Sequence, residues 1–490
     1  MTIRRFLFAA VIAIVLTALH STVSAQAVLE TEELRLVVDT QGKVTSLVDR
    51  IHGTEYAARD QESALLRVRC NGRFEIPAEM RWDAQQCTIR LVYDAIGVEA
   101  VVKVTGKRTH VNLELASVDP SEKVDAVQWG PLPTTIGDTV GEIVGVVRNE
   151  EYAIGLQGLN VKTLGGFLPN DEGLDTSRSQ TAKAAEWGST LQAYSLDRSR
   201  PRKIWVWNGN FPNMPVPPIE GETVAGSKIV FFGCAAADAL KRVGQIEVAE
   251  GLPHPEFNGV WAKQSDEPGR SYLIASFSEK SVDEWLGYAK RANLACLYHS
   301  GPFKSWGHYE LNPRFFPNGN DGMKECVKKA RKLGIRIGVH TLTNFINTND
   351  PYVTPVPDPR LAKTGTSRLV KDIDKDADEI PVASPEYFDN TKANWLRTVM
   401  IGQELVRYGA VSEKEPWKLL DCQRGAFGTR PTAHKKGDEI AKLLDHPYKV
   451  FFPNYDMQHE IAIRLAELFN ETGISHFDFD GHEGGWASGQ

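Results

Sequence analysis

Downstream of Gly251-Leu252-Pro253-His254-Pro255 the chain alternates between two periodicities, and no other feature constrains its fold as strongly. Short apolar runs follow segments whose apolar residues recur every 3.6 positions. Tyr272 to Phe277 reads as a strand, Ser281 to about Ala292 as a helix, and Leu294 to His299 as the next strand. A second helix carries Met323, Val327, Ala330 and Leu333 on one face and stops at Gly334. Ile335 to His340 is a third strand. Ser281-Val282-Asp283-Glu284 has the form of a capping box, and Gly334 suits a left-handed helix stop. Strand–helix–strand–helix–strand requires a parallel sheet with helices outside it, because each crossover must pass over a sheet face.

The rhythm breaks from about 345 to 453 and then resumes. The interruption holds an expected hairpin (Arg368 to Val382), an expected helix (Thr391 to Tyr408) and a Gly/Arg-rich loop (Arg424 to Arg430), and reads as one long insertion on a loop. Asn454 then caps a helix with an apolar stripe of Met457, Ile461, Leu465 and Leu468, ended by Gly473. The last strand lies in Ile474-Ser475-His476-Phe477-Asp478-Phe479-Asp480-Gly481-His482-Glu483. Side chains alternate along a strand, so His476, Asp478 and Asp480 share one face and Phe477 and Phe479 the other. In an α/β barrel the phenylalanines pack under helices, and the aspartates point into the C-terminal mouth, where such folds keep their chemistry.

The first half of the chain has a different pattern. Arg4 and Arg5, the apolar run Phe6 to Leu19, and Val23-Ser24-Ala25 have the form of a signal peptide over residues 1–25, too short for a comfortable membrane span. It implies a secreted or periplasmic protein with no membrane segment after cleavage. From about 26 to 250 short runs with turn residues between them suggest a β-sandwich: Leu34 to Asp39, Val44 to Val48, Leu65 to Val68, Cys87 to Tyr93, Val98 to Val104, His110 to Leu115 and Ile143 to Val147. Lys203 to Trp207 and Lys228 to Phe232 read as its closing strands. A net charge of -7 argues against nucleic-acid and anionic-membrane partners. The six cysteines form no C-x-x-C pair, so a zinc ribbon is not expected; Cys70 and Cys87 are either a disulfide or lone thiols.

Several constellations could carry chemistry. Cleaving a glycosidic bond needs two carboxyl groups at the anomeric carbon. Asp478 and Asp480 stand two apart on one strand, and one pKa of such a pair rises unless hydrogen bonds or a cation intervene. Glu483 lies just beyond them. His299 and His340 end apolar strands at positions expected to face the mouth, with Asn344 close behind and Trp306, His308 and Tyr309 on the loop after His299. Such groups orient sugar hydroxyls or stack on a ring, and each could equally be a core or loop anchor. His476 joins them through its face. Asp372 to Glu379 lacks the glycine and glutamate of a calcium loop and reads as a solvated turn. Arg424 to Gly428 lacks the setting of a phosphate loop and reads as a structural loop or lid, with His434 nearby as a surface residue.

Asn312-Pro313-Arg314-Phe315-Phe316-Pro317-Asn318-Gly319, the helix to Gly334 and the strand Ile335 to His340 resemble the α-galactosidase and α-N-acetylgalactosaminidase superfamily of retaining glycoside hydrolases. The resemblance implies a multidomain chain, an N-terminal supersandwich-like β-sandwich followed by a (β/α)8-type TIM barrel at 251–490. It implies that Asp480, ending strand 4, is the nucleophile, with Asp478 as its polar neighbour. It implies no cofactor or metal and a carbohydrate substrate; the oligomeric state stays open. Two positions depart from the family. Where galactose-specific members carry an acidic pair after strand 2, this chain reads His299-Ser300-Gly301. The family's general acid lies on strand 6, so the expectation is half a barrel in this chain, or a different strand count with Glu483 serving. The alternatives are a non-catalytic carbohydrate-binding or scaffold protein, and a polysaccharide lyase using Tyr298, Tyr309 or His308 as base.

Overall fold

The computed structural model describes residues 23–24, 26–166, 168, 180–206, 211–216, 218–388 and 394–480. Most of the targeting segment (1–22 and 25), Trp207, residues 391–393 and Glu483 lie outside the described residues. The chain divides into two compact units. The first takes residues 1–163, 181–193 and 225–237; the second takes 164–180, 194–224 and 238–490. The sandwich expected over 26–250 is therefore not one contiguous segment.

The first unit is built on a nine-stranded antiparallel sheet. Its order is Val23–Ser24, Glu79–Asp83, Thr88–Tyr93, Val98–Gly106, Val111–Asp119, Lys228–Ala235, Tyr152–Gly158, Val146–Arg148 and Thr139–Gly141. The strand Val98–Gly106 shows why it forms: Val98, Ala100, Val102 and Val104 are buried, while the residues between them face outward. A second sheet contains Ala126–Thr134 between Leu66–Cys70 and the strand beginning at Gly188. Buried hydrogen bonds tie the two sheets. Tyr93 donates its hydroxyl to the Leu66 carbonyl at 3.0 Å, and Trp129 Nε1 donates to Ser227 Oγ at 2.8 Å. Ile143 falls in an exposed turn, so the strand expected from it starts at Val146. Arg202–Val206 is not a closing strand of these sheets; it pairs with Phe211–Val216 in a separate hairpin of the second unit. All six cysteines are free thiols, Cys70 ending a strand of the second sheet and Cys87 standing at a turn of the first.

The second unit holds a four-stranded, wholly parallel sheet: β1 (Tyr272–Ile274), β2 (Cys296–His299), β3 (Arg336–Leu342) and β4 (His476–Asp480), in that spatial order. After α1 (Ala239–Glu250), helix α2 (Val282–Arg291) links β1 to β2 and α3 (Gly319–Lys332) links β2 to β3; α4 (Tyr455–Thr472) precedes β4. One sheet face is apolar. Leu297, Ile337 and Val339 pack into one core with Leu286 of α2, Met323 and Val327 of α3, and Ile461 and Leu465 of α4. Asn454 Oδ1 accepts the Met457 amide at 2.9 Å, the expected helix cap. The capping box at Ser281 does not form; Ser281 instead exchanges hydrogen bonds with Ser278, and the Ser278 carbonyl accepts the Val282 amide. Leu333 is 37% exposed and leaves the α3 stripe. Phe477 stacks on Phe469 of α4 at 4.5 Å, yet Phe477 and Phe479 remain 40% and 49% exposed, not covered as expected among the described residues.

Between β3 and α4 the chain builds an antiparallel β structure with its own core of Ile380, Val382, Val399, Ile401, Val406, Leu419 and Ile440. The chain does fold back across Leu369 and Val382. The helix expected over Thr391 to Tyr408 is instead a hairpin, Thr398–Ile401 with Glu404–Arg407. The local residues account for it. Thr398, Val399, Ile401 and Val406 are β-branched and resist helix, and Gly402 (φ 56°) opens the two-residue turn.

Candidate active site

Register decides which side chains meet. Ile274, Tyr298, Gly338 and His476 lie opposite one another across the four strands, and His340 pairs with Asp478 and Leu342 with Asp480. Tyr298, His340, His476, Asp478 and Asp480 therefore share the sheet face opposite the helices, toward the C-terminal ends of the strands. Gly338 sits at its centre. A Cβ there would come within 2.9 Å of the His476 ring and 3.0 Å of Cys296 Sγ. The missing side chain lets the Tyr298 and His476 rings approach edge to face at 5.7 Å.

Asp478 is the hub of this face. Tyr298 donates its hydroxyl to Oδ2 at 2.6 Å, the Thr341 amide donates to Oδ1 at 3.2 Å, and His340 Nδ1 lies 3.1 Å from Oδ1. Burial acts to raise the carboxyl pKa, but the Tyr298 hydroxyl, the Thr341 amide and the His340 ring outweigh it and hold it below the usual range. These donors favour the ionised form of Asp478. The Tyr298 phenol is pushed up, by burial first and then by the carboxylate beside it. Burial and the Arg336 charge lower the His476 pKa. Asp478 remains open, its side chain 49% exposed. Asp480 is exposed at the strand end, where its carbonyl accepts the Thr343 amide at 3.1 Å.

Four expected residues lie elsewhere. His299 is one residue out of phase with Tyr298 and turns to the helix side. Its ring packs edge-on against Phe277 and Phe315 at 5.2 and 4.8 Å, and its Nδ1 accepts the Gly301 amide. Burial lowers its pKa to about 4, so it is a neutral core histidine, not a mouth residue. His308 is a loop anchor: its Nδ1 lies 2.7 Å from Oδ1 of the fully buried Asp350, which also accepts from Ser305 and the His308 amide. Trp306 is half-buried on the same loop, its amide donating to Asn347 Oδ1. Asn344 is half-buried just past β3. Glu483 lies outside the described residues. The lyase bases are committed as well: Tyr298 donates to Asp478, His308 is held by Asp350, and Tyr309 is buried and donates to the Leu342 carbonyl at 2.6 Å.

The insertion holds a second carboxylate cluster that sequence reasoning misread. His434 is buried, not a surface residue. Its Nε2 lies 2.8 Å from Glu404 Oε2, and Arg424 grips both Glu404 oxygens at 2.8 and 2.7 Å. The amides of Gly425 and Thr432 complete the shell. Burial opposes ionisation of Glu404, but these donors, His434 first and Arg424 next, bring its pKa down to about 2. The Arg424 loop is therefore pinned to the insertion's own core. The calcium-loop look-alike is a turn: Asp374 accepts the Asp376 amide, and Asp372 pairs with Lys435 at 2.8 Å. Among the described residues no group of three or more His, Cys, Asp or Glu is placed to hold a metal.

No family model and no curated protein matches the sequence. In structure the chain is similar to GH36 alpha-galactosidase AgaA from Geobacillus stearothermophilus (12% identity, 69% of this chain and 59% of that chain, TM-score 0.35). It is similar also to alpha-N-acetylgalactosaminidase NagBb from Bifidobacterium bifidum (10% identity, 69% and 61%, TM-score 0.38). A third is an alpha-galactosidase from Lactobacillus brevis (9% identity, 92% and 63%, TM-score 0.35). The chain spans about three fifths of the length of these proteins.

Proposed function

We propose that the second unit carries part of the active site of an exported glycoside hydrolase that cleaves α-linked sugars with net retention. The observation that carries this reading is the face shared by Tyr298, His340, Asp478 and Asp480 at the C-terminal edge of a parallel sheet. In the accompanying fold reading, β1 to β4 are the first four strands of a (β/α)8-type barrel, and the Asn312 to Gly319 loop and the position of Asp480 support it. The sandwich and signal peptide expected upstream belong to the same proposal.

In this reading Asp480 attacks the anomeric carbon as the bond to the leaving oxygen breaks. A second carboxyl about 5 Å away gives its proton to that oxygen and later activates the water that releases the sugar. Asp478 is the fixed acceptor for a sugar hydroxyl. Three donors already occupy it, and a carboxylate has room for about four. Turnover of a panel of aryl α-glycosides tests the reading. Asp480→Asn is expected to lower it by about 10³-fold or more while the fold persists. Unchanged turnover sinks the nucleophile assignment.

A further inference from the structure

In the second unit several networked carboxylates are closed by a fixed cation. Arg424 grips Glu404, Arg360 holds Asp358 and Glu460, and Arg336 takes Glu267 at 2.8 Å. Asp478 is different. Its side-chain partners are a phenol, a backbone amide and the His340 ring, and among the described residues no lysine or arginine pairs with it. The ring fills its place without needing a charge, since the bond requires only a proton on Nδ1. A half-exposed anion is thus held in one orientation with no permanent counter-charge.

The rest of the face leaves that charge uncompensated. Arg336 shares the face by strand alternation, but it is committed to Glu267, which Arg270 also holds at 3.0 Å, and its guanidinium lies over the Phe257 ring at 5.2 Å. Burial and the charge of Arg336 lower the His476 pKa, which favours a neutral ring. The Tyr298 phenol stays protonated: burial raises its pKa first, then the hydrogen bond to Asp478, and the charges of Asp478 and Asp480 add to it. Three donors leave about one acceptor position on the Asp478 carboxylate. A sugar hydroxyl can fill that position. A protonated amine fills it and adds a charge-assisted bond where water is partly excluded. A carboxylate or sulfate on the sugar would meet like charge instead.

We infer that Asp478 makes the site selective for amino sugars, taking the free ammonium group of an α-linked hexosamine as its fourth partner. The inference rests on the hydrolase reading for the sugar beside Asp480 and narrows that reading to a cationic substrate class.

Calorimetric titration of the full chain at neutral pH and low salt tests it. The probes are the methyl α-glycosides of glucose and galactose beside their 2-amino-2-deoxy counterparts. In at least one series the amino sugar is expected to bind about three- to tenfold tighter than the neutral one. Added salt should shrink the ratio, because the carboxylate is half exposed. Asp478→Asn removes the charge and should abolish the preference, with circular dichroism checking the fold. Tyr298→Phe keeps the charge and should keep the preference, which separates lost charge from a disturbed face. Equal affinity for amino and neutral sugars, no binding of either amino sugar, a preference that survives Asp478→Asn, or an equal loss in Asp480→Asn overturns the assignment. Binding and turnover separate the two readings. An amine preference beside full turnover in Asp480→Asn keeps the selectivity and removes the nucleophile. Lost turnover in Asp480→Asn without an amine preference in the wild-type chain keeps the hydrolase and removes the selectivity.

Discussion

Glu404 and Asp478 are surrounded by similar donors and left open to water to very different degrees. Each carboxylate faces a histidine, a second side-chain donor and at least one backbone amide. Glu404 is fully buried, and its donors enclose both oxygens. Asp478 keeps half of its side chain in contact with solvent. The first arrangement ties three segments of the insertion together. The second holds an anion in one orientation and leaves room for a ligand. Hydrogen bonding alone does not separate a staple from a site; access does.

The comparison breaks most readily at Glu404. Glu404→Gln leaves Arg424 buried without its counter-charge and should cost about 3–5 kcal/mol in urea unfolding. Asp478→Asn, at a half-exposed site, should cost about 1 kcal/mol or less. Equal losses would mean that the two clusters do the same job. Glu404 also predicts a pH dependence. Its folded pKa of about 2 lies below the ordinary glutamate value of 4.5, so its contribution is complete above about 4.5 and is lost as pH falls toward 2. The wild-type chain should lose stability across that window, and Glu404→Gln should flatten the slope; parallel curves would remove Glu404 as the cause.

Smaller effects sharpen the open face. Gly338→Ala places a Cβ 2.9 Å from the His476 ring and 3.0 Å from the His476 carbonyl. Backbone cannot yield as a side chain can, so about 1–3 kcal/mol should be lost; a neutral result would show that the strands move apart freely. Tyr298→Phe removes the 2.6 Å donor to Asp478. Stability should fall by about 1 kcal/mol. The Asp478 carboxyl pKa, followed by carbon NMR, should rise, and a static value would mean that His340 and Thr341 hold the anion without the phenol.

Much of this arrangement was legible in the residues. The alternation after Gly251, the Asn454 cap, the α4 stripe and the shared face of His476, Asp478 and Asp480 follow from local periodicity and capping. Other readings failed where local pattern is ambiguous. His299 ends its strand as conspicuously as His340 ends the next, but strand phase sends it to the helix side and brings Tyr298 to the site. A one-residue shift exchanges the two faces of a strand, and the pairing of separate strands sets it. From Thr398 to Arg407, expected as part of a helix, β-branching and Gly402 are the better signal.

The sequence by itself determined the order of the parallel strands and their helices after Gly251, the length of the insertion and the alternation that sets Asp478 and Asp480 on one face, because these depend on neighbours along the chain. Only the tertiary structure decided that Tyr298 and His340 converge on Asp478, that His434 is buried on Glu404, and that Tyr448 is raised on Phe345 and His446. All of those contacts except the one between Tyr448 and His446 join segments far apart in sequence. Whether a carboxylate is enclosed or left open depends on what packs over it, and no periodicity in a single segment records that.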